Sequence, residues 1–213
     1  MRSKLLHQGI CYIAGAGNCS RLFLNLKEED FVIAVDGGFE YLKGNRIDLV
    51  VGDFDSLSYV PEHPNVITLI PEKDDTDMMV ALKEGLKRGY ETFYIYGGCG
   101  GRFDHTYANI QSLAYLADRH ARGYLFHEDQ VITMIRDDSI TFHSDMKGYV
   151  SVFAYGEKAE GVTIQGLKYP LENAVLSDTF PLGVSNEFTG KTAEISVKKG
   201  RLLVIYESGK PDM

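Results

Sequence analysis

Six short apolar runs punctuate the first 128 residues, and most of them stop at glycine, aspartate or proline: ICYIAG, FVIAVD, DLVVGD, VITLIP, TFYIYGG and GYLFHE. Runs of this length with helix-period segments between them are the pattern of a parallel sheet, buried on both faces and joined by helical crossovers. Two of the crossovers have clear helical spacing. In DDTDMMVALKEGLKRGY, Met79, Leu82 and Leu86 share one side, Thr76 or a neighbouring aspartate caps the start and Gly89 closes the end. In FDHTYANIQSLAYLADRHARG, Ile110, Leu113, Ala114 and Ala117 form an apolar stripe that ends near Gly123.

From about residue 130 the texture changes. QVITMIRD, SITFHSD, YVSVFAYG, GVTIQGLKY, AEISV and RLLVIYES are strand-like runs separated by turn residues, and no long helical period intervenes. SVKKGRLLV reads as a hairpin with Gly200 in its turn. The sequence therefore predicts an α/β domain over residues 1–128, a mostly parallel sheet with helices on both faces, and an all-β sandwich over 129–213. No Gly/Ser linker separates the two, and there is no internal repeat.

Composition removes several classes of function. A formal charge of −8 and the lack of a Lys/Arg cluster argue against nucleic-acid binding, which needs clustered cations to displace counterions. The three cysteines, Cys11, Cys19 and Cys99, are odd in number and show no CxxC spacing, which suits a reducing, cytoplasmic setting and disfavours structural zinc. No stretch reaches the ~20 apolar residues of a membrane span, and the start is too polar for a signal peptide.

In open α/β sheets, ligands sit beyond the carboxyl ends of the strands, and the chemically informative residues fall there. FVIAVDGG ends a strand with Asp36 before Gly37 and Gly38. VVGDFDSL places Asp53 and Asp55 around Phe54; an extended strand would direct both acids to one face, roughly 7 Å apart at the backbone. EKDDTDMMV brings Lys73, Asp74, Asp75 and Asp77 to a helix start, where Asp77 also fits a plain dipole-stabilising role. YIYGGCGGRFDH carries Gly97, Gly98, Gly100 and Gly101 into Arg102, Asp104 and His105, combining exposed amides with a guanidinium fork suited to a polyphosphate. Cys99 stands inside that loop; its thiol is incidental to the chemistry there, although its oxidation would block the site. GAGNCS is a near miss for the dinucleotide fingerprint, with Ser20 in the third glycine's place, and offers amides to a phosphate. Asp53, Asp55 and Asp77 suffice for magnesium, which uses one or two carboxylates together with substrate phosphates. A Walker A motif is absent, so the nucleotide is held another way.

Taken together, DGG at 36–38, VGDFDSL at 51–57, KDDTD at 73–77, GGRFDH at 100–105, GVTIQGLKYPL at 161–171 and GVSNEF at 183–188 resemble, in order and across both domains, the bacterial thiamine pyrophosphokinase family. That resemblance implies transfer of a pyrophosphoryl group from ATP to the hydroxyl of thiamine, giving thiamine diphosphate and AMP with Mg2+. It implies catalytic and metal roles for Asp53, Asp55 and Asp77, with Arg102 on a phosphate. Asp36, Gly37, Gly98, Gly100, Gly101, Arg102 and Asp104 fall to the nucleotide, and Tyr169, Ser185 and Asn186 to thiamine. It further implies a homodimer whose thiamine site lies between subunits. Some relatives carry tryptophan where this chain has Tyr169, which gives thiamine a smaller aromatic wall. Asp77 and Asp75 both stand as candidates for the base. Two rivals share parts of this pattern. A DxD phosphatase would use Asp53 as nucleophile but leaves GGRFDH and GLKYPL…SNEF unused, and a non-catalytic nucleotide or thiamine sensor would need fewer acids.

Overall fold

The computed structural model describes residues 7–208 apart from 20, 21, 23, 56 and 71–73, so Ser20 and Lys73 of the sequence reading lie outside the described residues. The chain divides into two units. One comprises the residues up to Ser112 together with Gly123–Glu128; the other comprises Leu113–Arg122 together with the residues from Asp129 onward.

The first unit holds β1 (His7–Ala14), β2 (Phe31–Val35), α1 (Gly38–Leu42), β3 (Leu49–Gly52), β4 (Val66–Thr68), α2 (Asp77–Lys87), β5 (Tyr90–Tyr96), the start of α3 (Phe103–Ala117) and β6 (Arg122–His127). Its sheet runs β6-β5-β1-β2-β3-β4, and the pairs β1–β5, β1–β2, β2–β3 and β3–β4 are parallel. Period-two alternation sorts the apolar side chains. Tyr12, Ala14, Val32, Ala34 and Val50 pack in one cluster with Leu42 of α1, whereas Cys11 and Phe93, register partners on the other face, meet α2 at Gly85. The two helices therefore cover opposite faces, as predicted.

Helix α2 begins at Thr76, whose hydroxyl accepts the Met79 amide at 3.2 Å, and its chain reverses at Gly89, where φ is +95°. Its buried face is Met78, Ala81, Leu82 and Gly85 rather than the Met79–Leu82–Leu86 side. A Cβ on Gly85 would lie 2.5 Å from Phe93 Cε1 and 2.9 Å from Cys11 Sγ, so the glycine is what lets the helix sit close to the sheet. Leu82 is fully buried there, contributing about 1.5–3 kcal/mol.

The second unit contains β7 (Gln130–Arg136), β8 (Ser139–Phe142), β9 (Tyr149–Ala154), β10 (Ala159–Gln165), β11 (Leu171–Leu176), β12 (Gly183–Glu187), β13 (Ala193–Ser196) and β14 (Arg201–Glu207). They form the antiparallel arrays β12-β9-β14-β7 and β11-β10-β13-β8, the two sheets of the predicted sandwich. The predicted hairpin is corrected: β13 pairs with β10 and β8, while β14 pairs with β7 and β9. The chain around Gly200, at φ +104°, crosses from one sheet to the other instead of returning beside itself. Among the described residues no helix is long and apolar enough to cross a membrane.

Candidate active site

The carboxyl ends of the parallel strands surround a cavity of about 580 Å³ within the first unit. Five chain segments line it, and each follows a strand or opens a helix.

The first is the glycine segment after β1. Gly15, Ala16 and Gly17 line the cavity, yet the Gly15, Gly17 and Asn18 amides donate to the carbonyls of Tyr96, Gly97 and Cys99 at 2.8, 2.8 and 2.9 Å. Three of the GAGNCS amides expected to face a phosphate are thus already engaged. Those amides continue the β1–β5 pairing past the strand ends and lace the two glycine loops together. The approach is close enough that a Cβ on Gly17 would stand 2.6 Å from the carbonyl oxygens of both Gly97 and Cys99.

The second, third and fourth segments, after β2, after β3 and at the start of α2, carry the acids. Asp36, with φ at +46°, donates its amide to Val51 O at 3.0 Å, and its Oδ1 accepts the Phe54 amide at 3.3 Å. Gly52 makes this possible, because a Cβ there would lie 1.9 Å from Asp36 Oδ1. Gly38 has a different reason: a Cβ would lie 1.9 Å from Ala14 O, so the close approach it permits is to β1 and not to a ligand. Gly37 is the residue before α1 and does not line the cavity.

Strand β3 ends at Gly52, and Phe54 turns to φ +61°. The i, i+2 strand geometry expected for Asp53 and Asp55 is therefore absent. Asp53 Oδ1 accepts the Asp55 amide at 3.3 Å in a tight turn, while Phe54 is buried in the core as predicted. Both acids line the cavity, but Asp53 converges with Asp36 and Asp77, each offering a carboxylate oxygen within 4.8 Å of the others. Asp55 is not in that group. Asp75 is engaged elsewhere: Lys83 Nζ donates to both its oxygens, at 2.8 and 2.6 Å.

Burial raises the Asp36 carboxyl to about 7, helped by a hydrogen bond with Asp77 and by its charge. Three carboxylates this close cannot all ionise cheaply without a cation, and an oxygen-only set of this kind fits a small hard divalent ion.

The fifth segment runs from β5 into α3. Gly98, Gly100, Gly101, Arg102 and His105 line the cavity, and Gly100 and Gly101 have φ of +83° and +74°. Arg102 and Asp104 are exposed and paired two-pronged at 3.2 and 2.5 Å, which holds the Asp104 carboxyl below its ordinary range. That pairing uses Nε and Nη2 and leaves the Nη1 side of the fork for a phosphate. Cys99 is buried, and that burial pushes its thiol up to about 11, away from a reactive thiolate. Asn109, which the sequence reading did not single out, also lines the cavity.

In the second unit, Tyr169 is 56% exposed and Asn186 is 4% exposed. The Asn186 amide is committed to the backbone: Nδ2 donates to Tyr169 O at 2.7 Å, and Oδ1 accepts from Tyr169 N at 3.0 Å and Glu187 N at 2.9 Å. Ser185 is exposed at φ +57°, its amide donating to Ser151 Oγ. Lys168 Nζ sits 5.4 Å from the Tyr169 ring centroid and pairs with Glu187 at 2.6 Å, so a cation of this chain already lies over the ring.

Two family models match: "Thiamin pyrophosphokinase, catalytic domain" over residues 24–125 and "Thiamin pyrophosphokinase, vitamin B1 binding domain" over 137–202. The chain is 30% identical over 161 residues to a thiamine pyrophosphokinase of Bacillus subtilis, covering 72% of this chain and 75% of that one. It is 25% identical over 190 residues to a thiamin pyrophosphokinase of Caenorhabditis elegans, covering 81% and 76%. Among solved structures, a Bacillus subtilis thiamine pyrophosphokinase superposes with a TM-score of 0.82 at 28% identity, covering 95% of this chain and all of that one. A Geobacillus thermodenitrificans relative gives 0.79 at 28% identity over 96% of this chain.

Proposed function

The chain belongs to the thiamine pyrophosphokinase family, and we propose from that membership and from the cavity that it transfers a pyrophosphoryl group from ATP to the hydroxyethyl oxygen of thiamine, releasing AMP. The observation that carries this reading is the convergence of Asp36, Asp53 and Asp77 beside two laced glycine loops and Arg102 in one cavity.

The hydroxyl oxygen of thiamine forms a bond to the β-phosphorus as the bond from that phosphorus to the α,β-bridging oxygen breaks, and the proton leaves to a carboxylate. Of the two acids weighed for that task, Asp77 lines the cavity and Asp75 is held by Lys83 outside it, which favours Asp77. Asp36, Asp53 and Asp77 are the residues that would hold Mg2+. When bound, the ion would neutralise charge on the phosphate oxygens and the leaving group. Asp55 stands on the cavity wall as a further acid at the nucleotide. Arg102 binds phosphate through the Nη1 side of its fork, while Asp104 on Nε and Nη2 holds the fork oriented. Gly98, Gly100 and Gly101 form the wall on the nucleotide's side, where Gly101, with open space in place of a Cβ, lets the nucleotide approach the backbone, and Gly37 ends the Asp36 corner. Positioning and electrostatics supply most of the acceleration in such transfers.

On the thiamine side, Tyr169 supplies an aromatic face for a cationic substrate, worth roughly 0.5–2 kcal/mol. Asn186 holds the Tyr169 backbone, and Ser185 is exposed on the neighbouring strand. We extend the reading to a homodimer in the cytoplasm with thiamine bound between subunits. It is supported by Phe180, Leu182 and Val184, which are 66, 55 and 47% exposed around the edge strand β12, and by three free cysteines.

The test is incubation of the pure protein with ATP, MgCl2 and thiamine, followed by separation of products. AMP and thiamine diphosphate in equal amounts establish the reaction. ADP with thiamine monophosphate, or phosphate release without thiamine, overturns it.

A further inference from the structure

We propose that Asn109 is a positioning and specificity residue. Its amide nitrogen fixes the glycine loop, and its amide oxygen accepts a hydrogen bond from a donor on the nucleoside of the bound nucleotide. The inference rests on the ATP reading above.

Asn109 sits on α3 at helical spacing with Leu113 and Leu116, and all three are buried, so a polar amide occupies the apolar face of the helix. It is 8% exposed and lines the cavity. Nδ2 donates to Gly98 O at 2.6 Å in a buried hydrogen bond. A carbonyl only accepts, so the amide has one chemically sensible orientation and Oδ1 is the outward atom. Gly98 is shaped for this contact: a Cβ there would lie 2.6 Å from Leu125 Cδ1 and 3.3 Å from Asn109 Nδ2.

The oxygen is the unused half. Among the described residues Oδ1 has no hydrogen-bond partner, and it is not among the sealed polar atoms that lack one. On a residue this buried, the opening that reaches it is the cavity. A lone acceptor repels phosphate oxygens, so on a nucleotide it can face only the N–H and O–H groups of the nucleoside, the adenine amine or a ribose hydroxyl. A site built to accept such a donor also rejects analogues that lack it, because its own polar atom is then left unpaired. One side chain thus ties the shape of the glycine loop to the identity of the nucleotide.

Calorimetric binding of AMP, IMP, 2′-deoxy-AMP and 3′-deoxy-AMP to the full chain tests this without turnover. The wild type should bind one analogue roughly tenfold more weakly than AMP. IMP as the weak binder identifies the adenine amine as the donor, and a deoxynucleotide identifies the ribose. Asn109→Ala and Asn109→Ser, each checked by melting, should lose that discrimination, binding AMP and the weak analogue alike. The Ser variant keeps the test open if the Ala variant does not fold. Equal wild-type affinity for all four nucleotides, or a folded variant that still discriminates, overturns the proposal. Failure of the wild type to bind AMP at all overturns the ATP reading and the inference with it.

Discussion

Replacing Asp36 by asparagine should stabilise the metal-free protein while it disables the enzyme. The Asp36 carboxyl is raised from 3.8 to about 7, by burial first and then by its hydrogen bond with Asp77 and the charge of that residue. A folded value above the unfolded one means the favourable contribution is complete below pH 3.8, declines as pH rises and is gone above the folded value. The full shift corresponds to about 4 kcal/mol. Solvent reaches part of the carboxylate and Asp77 shares the proton, so about 1–3 kcal/mol is the working range. Asparagine keeps an oxygen for the Phe54 amide but carries no charge. At pH 8 in EDTA, Asp36→Asn should therefore melt about 2–10 °C above wild type. At pH 5.5 the gap should narrow. With MgCl2 at pH 8 the wild type should recover most of the difference and the variant little of it. Melting curves from pH 5.5 to 8.5 with EDTA or MgCl2 provide the measurement, and histidine titration cancels in the difference between the two proteins. A variant less stable than wild type at pH 8 in EDTA, or a gap that does not change with pH, would refute the account of the three acids as mutually frustrated.

Further expectations follow from the same geometry. Asp53→Asn should lower kcat by about 10²–10³, and Asp55→Asn, outside the three-acid group, should cost clearly less; equal losses in steady-state kinetics would contradict the assignment. Tyr169→Ala should raise KM for thiamine about two- to thirtyfold and leave KM for ATP unchanged. Gly17→Ala should cost about 1–3 kcal/mol in denaturant unfolding, because its methyl group meets two carbonyls of the facing loop. Asp118 is held down to about 2 by Arg201 first and Arg136 second. This contribution is present above pH 3.8 and is lost as pH falls toward 2, so Asp118→Asn should lower stability by about 1 kcal/mol at pH 7, after allowance for solvent. At pH 2 it should lower it by little, as acid titration of both proteins by circular dichroism would show.

The strands of the first unit were legible because they are runs rich in β-branched and aromatic residues, most of them cut by glycine, aspartate or proline, and Thr76 announced α2 by its side chain. What sequence patterning missed has specific causes. β11 (LENAVL) buries only Leu176 and β12 (GVSNE) only Asn186, so neither carries an alternating apolar face. Helix α1 has only five residues, too few to show a period. The buried face of α2 is displaced toward Gly85, since a hydrophobic stripe gives no weight to a glycine whose value is its lack of a side chain. Local spacing paired Asp53 with Asp55, but the left-handed turn at Phe54 separates them, and the nearer partner, Asp36, comes from the previous strand end. Asn109 did leave a signal, a polar residue in the apolar register of Leu113 and Leu116.

The order in which the chain visits its two units affects its synthesis. Residues 113–122 group with the second unit, although 123–128 return to the first. A nascent chain that has just delivered Glu128 holds every strand of the first sheet, but Leu113, Leu116, Ala117 and Ala121, all buried in the finished protein, still lack their group. At ~5–20 residues per second, the stretch from 129 to 213 takes about 4–17 s to translate, so residues 113–122 are made that long before the last of their group. The same threading means that no single cut yields two intact halves.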